Sequence, residues 1–394
     1  MPSARRCAVV QAPVGDLRRR DRDREDRCIA SVVERWCYDL GSVEMMAPGQ
    51  SVTALRVDDL KVSFRSQRGI ARAVRGVSFH VNSGETLGLV GESGSGKSVT
   101  ALTVIGMVRD SLNARVEGSV KLGDEELLGK SDADFRAIRR TRMSMVVQDP
   151  LSSLNPAYTI GNQVMESLSL AGVRRRAEAR SGAVDLLESM RIPGAKDRLK
   201  SYPHEFSGGM RQRTVSAMAL AGSPEVLIAD EPTTALDVTM EAAYLDVLKS
   251  VISERRLGVL FITHDLGVVS RMCDRVAVMY AGRIVELGDV EQILFEPGHP
   301  YTRALLRAVP SISGSSRIVG VPGSPSSPYS TVVGCPFADR CWLYEALGRP
   351  QRCVEEAPPL ATDVGYVGAD ADDGEHLSAC HFHDECRQWP DDEL

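Results

Sequence analysis

The sequence predicts an α/β protein: a mostly parallel sheet flanked by helices, extended by an antiparallel β layer, a helical arm and a small cysteine-rich C-terminal region. Three observations predict it. Apolar runs of strand length at residues 143–147, 226–229 and 259–263 alternate with helix-forming stretches, as strands buried between helix layers do. Residues 55–64 and 77–81 alternate apolar with polar side chains instead, the pattern of half-buried antiparallel strands. Between a strand expected at 85–90 and a helix expected at 98–105, residues 91–98 read Gly-Glu-Ser-Gly-Ser-Gly-Lys-Ser, which fits the phosphate-cradling pattern G-x-x-x-x-G-K-[ST].

A strand, a glycine loop and a helix in that order aim backbone N–H groups and a helix N-terminus at one point, which favours a polyphosphate. Gly91, Gly94 and Gly96 permit the tight path, and Glu92, Ser93 and Ser95 complete the loop. Lys97 is expected to reach the β- and γ-phosphates, and the Ser98 hydroxyl to ligate Mg²⁺. A glycine-rich turn that binds nothing is the plain alternative; the strand–helix setting argues against it. Further along, Val226-Leu-Ile-Ala-Asp-Glu-Pro232 is an apolar strand ending in two acids. Asp230 at such a place holds the Mg²⁺ shell, and Glu231 can accept a proton from an attacking water. Ser207, Gly208 and Gly209 open a helix running to Leu220. That is a second helix N-terminus suited to an anion, although an N-cap alone would explain it.

Composition bounds the rest. The 394 residues leave room for two or three domains. A formal charge of −6 offers no polycationic surface, so nucleic acid is not an expected partner. No apolar run approaches the length of a membrane span, so contact with a membrane is expected to go through a partner. No compact apolar segment with a cleavage site follows the arginine-rich start, so no secretory signal is read. Residues 1–50 mix arginine with acid and read as a disordered extension, or as sequence upstream of a true start at Met45 or Met46. Residues 51–308 form the alternating body, with a helix-rich insertion at 160–191. The region 309–394 differs: residues 311–330 are rich in Pro, Gly and Ser, and five of the nine cysteines follow. A small domain held by something other than a large core is expected there. Without a secretory signal, the cysteines point to metal or spare thiols over disulfides. Cys7, Cys28, Cys37 and Cys273 carry no pattern.

The order of Gly91–Ser98, Gln148, Ser207-Gly-Gly, Asp230-Glu231, Asp237 and His264 resembles that of ABC-type ATPases, over residues 52–308. The resemblance implies a P-loop NTPase (RecA-like) core with an antiparallel β subdomain and a helical ABC subdomain, using ATP and Mg²⁺. In that family two such domains sandwich two ATP molecules head to tail, so Ser207 and Gly209 would act on the ATP of a partner. Gln148 would sense Mg²⁺ and the attacking water beside the arm that touches the membrane subunit. Asp237 would sit on the dimer-contact loop, Glu231 would be the base, and His264 would contact the γ-phosphate. Phe64 is the aromatic candidate for stacking adenine, with a place in the core as its alternative. The usual signature Leu-Ser-Gly-Gly-Gln has Phe206 and Met210 at its two ends here, and its centre is intact.

Variable positions narrow the resemblance. Tyr202-Pro-His-Glu-Phe-Ser-Gly-Gly-Met-Arg-Gln-Arg213, Asp149-Pro-Leu-Ser-Ser-Leu-Asn-Pro156, Asp230-Glu-Pro-Thr-Thr-Ala-Leu-Asp237 and His299-Pro-Tyr-Thr302 are similar to the oligopeptide/dipeptide/nickel importers. That branch implies a peripheral subunit on the cytoplasmic side of the cell membrane. Its partners would be a second, different ATPase subunit, two membrane permeases and an extracytoplasmic solute-binding protein. In the tail, Cys335, Cys341, Cys353 and Cys380 resemble the ligands of a [4Fe–4S] cluster in this branch, with a structural more than a redox role. Thiolate number alone leaves structural zinc and free thiols open. In the zinc reading Cys386, His381 or His383 could substitute. Two rival functions are an ABC-type ATPase acting on DNA or ribosomes and a metal- or redox-sensing regulator. The long coiled-coil insertion or tandem ATPase halves expected of the first are not visible in the sequence.

Overall fold

The computed structural model describes residues 52–109, 111, 113–149, 153–234, 236–308, 320–362, 365–366 and 375–390. The expectations for residues 1–50, for Pro150, Leu151 and Ser152 after Gln148, for Ala235 and for the first part of the linker lie outside these residues.

The predicted half-buried strands form an antiparallel sheet. β1 (Thr53–Ser66) pairs with β2 (Gly69–Asn82) on one side and β4 (Ala114–Leu122) on the other, with the short β5 (Glu125–Glu126) at the edge. Leu55, Val57, Leu60 and Val62 point inward from β1 and are fully buried. Both strands are longer than the alternation indicates, because register shifts let the pairing continue where the two-residue period breaks.

The second sheet follows the order β12-β11-β13-β10-β9-β3-β8-β7-β6. Its middle is parallel: β3 (Thr86–Val90) lies between β9 (Arg275–Tyr280) and β8 (Gly258–Thr263), and β7 (Val226–Asp230) between β8 and β6 (Met143–Val146). Every residue of β3, β7, β8 and β9 is buried, which explains their unbroken apolar runs: both faces are covered. Helix α1 (Lys97–Val104) follows the glycine loop, and α2 (Asp132–Thr141) starts at a capping box of Ser131 and Asp134. The predicted arm consists of α3 (Ile160–Leu170), α4 (Arg176–Ser189) and α5 (Gly208–Ala219), which pack on one another. Val164, Leu168, Ala183 and Leu187 fill the space between them. Burial of each leucine contributes about 2 kcal/mol. The body continues with α6 (Val238–Arg255), α7 (Leu266–Met272), α8 (Val290–Phe295) and α9 (Pro300–Arg307). Among the described residues no helix is long and apolar enough to cross a membrane.

The C-terminal region joins the second sheet. β10 (Arg283–Asp289) forms a hairpin with β9 and also pairs with β13 (Leu377–Ser378), to which β11 (Ala361–Thr362) and β12 (Gly365–Tyr366) are added. Residues 51–394 make one compact unit, and Phe337, Leu343 and Leu377 are buried in it. Glu286 on β10 fixes the join. Its carboxylate is 0% exposed. It accepts N–H bonds from Gly298 at 2.5 Å and His299 at 3.1 Å, and meets His376 Nε2 at 2.7 Å. Glu286→Ala would leave two buried N–H groups unpaired, at a cost of about 3 kcal/mol. The expected result is a lower urea midpoint at unchanged m-value in equilibrium unfolding.

Candidate active site

Register brings the site together. Val90 of β3 lies opposite Thr263 of β8, and Asp230 of β7 lies opposite Ile262 of β8. The three strands therefore end at one edge, and Gly91, Glu231 and His264 leave the sheet side by side. Gly91 has φ 149°, and a Cβ there would stand 2.2 Å from the Met279 carbonyl oxygen. No other residue fits so close to β9.

Lys97 is buried, and its ammonium donates to the carbonyls of Gly91 (2.7 Å) and Glu92 (2.9 Å), with Ser95 Oγ at 3.4 Å. Burial holds its pKa below the ordinary lysine value, and the charges of Glu231, Asp230 and Glu92 oppose that shift. The Ser98 hydroxyl lies 3.4 Å from Asp230 Oδ1. Burial pushes the Asp230 carboxyl above its ordinary value; the Ser98 hydrogen bond resists this and the Glu231 charge adds to it.

Glu231 is the hub. Oε2 accepts from Gln148 Nε2 at 2.9 Å and from Thr234 Oγ1 at 3.1 Å, and Oε1 lies 3.2 Å from His264 Nδ1. Its backbone has φ 46°, a left-handed conformation that non-glycine residues rarely adopt, and its N–H is tied to the Ile262 carbonyl at 2.9 Å. Strain of this kind gathers at functional sites because the surroundings must over-determine it. Lys97, Ser98, Gln148, Asp230, Glu231 and His264 are thus linked around one edge.

Other predicted residues stand apart. Ser207 caps α5, accepting from Met210 N at 3.3 Å. Among the described residues no hydrogen bond joins Ser207, Gly208 or Gly209 to the phosphate loop. Gly209 packs against Met240, whose Cε would stand 2.2 Å from an added Cβ. Asp237 caps α6, accepting from Thr239 N at 3.1 Å and Met240 N at 2.9 Å. Phe64 is half-buried on β1 opposite Ala71 of β2, two residues from Ala73, whose carbonyl borders Gly96.

Three contributors were missed in the sequence. Thr234 holds Glu231. Tyr301 accepts a hydrogen bond from Glu92 N at 2.8 Å. Arg340 pairs with the Glu92 carboxylate at 2.8 Å. Tyr301 belongs to the His299-Pro-Tyr-Thr302 string quoted above for another reason, and Arg340 directly precedes Cys341 of the cysteine set.

In the tail, Cys335, Cys341, Cys353 and Cys380 line one small cavity of about 20 Å³ with His299, Phe337 and His381. Cys341 Sγ and Cys380 Sγ each accept a backbone N–H at 3.4 Å, from Tyr344 and Phe382. Burial pushes the Cys335 thiol up to about 11 and the Cys341 thiol up to about 12, and raises Cys353 and Cys380 as well. Cys386 faces the Pro297 carbonyl instead. Among the described residues no group of three or more His, Cys, Asp and Glu is placed to hold a metal ion.

Comparison with known proteins agrees with this fold. The ABC transporter family matches residues 74–234, and the family described as Oligopeptide/dipeptide transporter, C-terminal region, matches residues 285–346. The "Probable peptide ABC transporter ATP-binding protein y4tR" of Sinorhizobium fredii is 48% identical over 78% of this chain and 91% of its own length. The oligopeptide transport ATP-binding protein OppD of Salmonella typhimurium is 44% identical over 82% and 94%. The dipeptide transport ATP-binding protein DppD of Bacillus subtilis is 42% identical over 84% and 95%. Among solved structures, a dimeric post-hydrolysis state of the ATP-binding cassette MJ0796 bound to ADP and Pi is similar, with a TM-score of 0.54 and 25% identity, covering 60% of this chain and 98% of that one. The chain belongs to the ABC transporter ATP-binding proteins of the oligopeptide/dipeptide type, and it is an ATPase of that class.

Gly96 tests the loop. A Cβ there, at φ 111°, would stand 2.6 Å from Ala73 O and 2.7 Å from Met279 Cε. Strain of about 1–3 kcal/mol corresponds to a loss of roughly fivefold or more in affinity. Gly96→Ala is therefore expected to weaken ATP binding by at least that factor in a fluorescent-nucleotide titration.

Proposed function

We propose that the chain is the ATP-hydrolysing subunit of a peptide importer, peripheral on the cytoplasmic face of the cell membrane. Its partners are a second, different ATPase subunit, two membrane permeases and an extracytoplasmic solute-binding protein. The observation that carries the catalytic reading is the Glu231 carboxylate, gripped by Gln148, Thr234 and His264 beside the Lys97–Ser98–Asp230 cluster. Peptide is favoured over nickel chelates or other small solutes because the relatives are named for oligopeptide and dipeptide transport. The dimer of MJ0796 with ADP and Pi supports a two-subunit closure, in which Ser207, Gly208 and Gly209 meet the phosphates held by the partner.

In this reading the amides of residues 91–98 and the Lys97 ammonium bind the β- and γ-phosphate oxygens, and Phe64 stacks the base. The Ser98 hydroxyl and the Asp230 carboxylate stand 3.4 Å apart. Asp230 is buried with a raised pKa, a hard-oxygen pair that suits a divalent cation. Mg²⁺ would be held there with the Gln148 amide oxygen, and it supplies charge neutralisation on the phosphate oxygens. Glu231 takes the proton of the attacking water, oriented by its three partners. His264, fixed against Glu231, contacts the γ-phosphate. Asp237 keeps the start of α6 in place at the dimer contact.

The tail is proposed to hold a [4Fe–4S] cluster through Cys335, Cys341, Cys353 and Cys380. Zinc would need four donors within about 2.3 Å of one point. What supports the cluster reading is that the four cysteines line one cavity and that thiolates in this number suit such a cluster. The cluster's contribution would be structural, tying three separated segments together.

Two experiments test these readings. In membranes reconstituted with the permeases and binding protein, Glu231→Gln is expected to bind ATP normally and to lose peptide-stimulated turnover by about 100-fold or more. Normal turnover would remove Glu231 as the base. Anaerobically purified chain is expected to carry about four irons, with the visible absorbance lost in Cys341→Ser; stoichiometric zinc without iron would overturn the cluster.

A further inference from the structure

Arg340 ties the cysteine-lined tail to the phosphate loop. It is only 7% exposed, and its guanidinium forms a two-pronged pair with Glu92: Nη1 to Oε2 at 2.8 Å and Nη2 to Oε1 at 3.1 Å. Nε donates to the Pro322 carbonyl at 2.6 Å, and Nη1 also reaches the Tyr280 hydroxyl at 3.3 Å. The Tyr280 and Phe337 rings lie 5.6 and 5.9 Å away. A guanidinium held on all sides is a rigid fork, not a mobile surface charge.

Its target is unusual. Glu92 is the second residue of the phosphate loop, so a carboxylate stands in a loop whose ligand is itself an anion. Coulomb repulsion would lower affinity unless the charge were neutralised. Glu92 is also held at its N–H by Tyr301 and at its carbonyl by Lys97, so the Arg340 pair adds a third fixed point to a loop rich in glycine. On its other side Arg340 is bonded to Cys341, which lines the cysteine cavity with Phe337. Phe337 in turn packs 5.4 Å from Tyr301.

We propose that Arg340 is a positioning residue for the phosphate loop: it neutralises and anchors Glu92, so that the fold of the cysteine tail sets the affinity of the ATP site. The coupling runs both ways by linkage, so bound nucleotide also steadies the tail. The inference rests on the ATP reading of the loop, and titration of the wild-type chain tests that reading first and separately.

The test uses the full-length chain, reading ATP Kd with a fluorescent analogue and thermal unfolding alongside. Arg340→Gln is expected to raise Kd roughly tenfold, because Glu92 is left charged and loose. Adding Glu92→Gln to Arg340→Gln is expected to recover most of that loss, since the repelling charge is gone. A purely structural role for Arg340 predicts that the double variant binds no better than the single. That outcome, or an Arg340→Gln Kd within twofold of wild type, would overturn the proposal. Should Arg340→Gln fail to fold, Glu92→Gln alone decides through hydrogen exchange. ATP should slow exchange of the amides at 337–347 in the wild type and not in Glu92→Gln; equal protection in both would overturn it.

Discussion

The parallel register of β3, β7 and β8 is the constraint on which the rest depends. Once Val90 faces Thr263 and Asp230 faces Ile262, a glycine loop, a pair of acids and a histidine emerge at one edge without further instruction. The strands are buried on both faces, so a slip by one residue would break the ladder without any solvent face to receive it. The ends of an open parallel sheet are where ligands bind in α/β folds. Here the edge also collects charge. Lys97 lies close enough to the acids for their charges to oppose the fall that burial imposes on its pKa, and its own charge opposes the rise that burial imposes on Asp230.

Within that edge the Glu231 backbone is the strained element. A left-handed glutamate directly after a buried strand would relax if only its own chain held it. Its N–H is anchored to β8 and its carboxylate to Gln148 and His264 from two other segments and to Thr234 from its own turn. Precise aim of one carboxylate is thus obtained by cross-linking segments that the sheet has already aligned, with Thr234 adding a local tie.

The sequence disclosed what is local. The glycine loop, the acid pair after β7 and the N-cap serine of α5 each carry their signal within a few residues, and all appear where expected. The buried strands were legible because unbroken apolar runs bounded by turns have few other uses. β4 was not read: Gly118, with φ 108°, sits at a register shift against β1 that breaks the alternation. The β9–β10 hairpin was also missed, since a run such as Arg275-Val-Ala-Val-Met-Tyr280 suits helix or strand equally by period. Tyr301 and Arg340 were written in plain view, yet their contacts with Glu92 span 209 and 248 residues. No local period encodes a partner that distant. The tail misled in a second way: its few apolar residues looked too sparse for packing, but Phe337 and Leu377 join the core of the body rather than forming one of their own.

Local roles and proposed distant roles coincide in the signature helix. Ser207 caps α5 and Asp237 caps α6, so each has a reason to be present that requires no ligand. The packing adds something the caps do not. Gly209 rests on Met240, in the first turn of α6, where an added Cβ would stand 2.2 Å from Met240 Cε, the movable end of that side chain. The chain from Glu231 to Asp237 leads from the hub of the site to the cap of α6. A side chain at position 209 would have to displace the Met240 methyl from the start of α6 even with every phosphate contact left intact, which is a packing reason for glycine there beyond the close approach of a ligand.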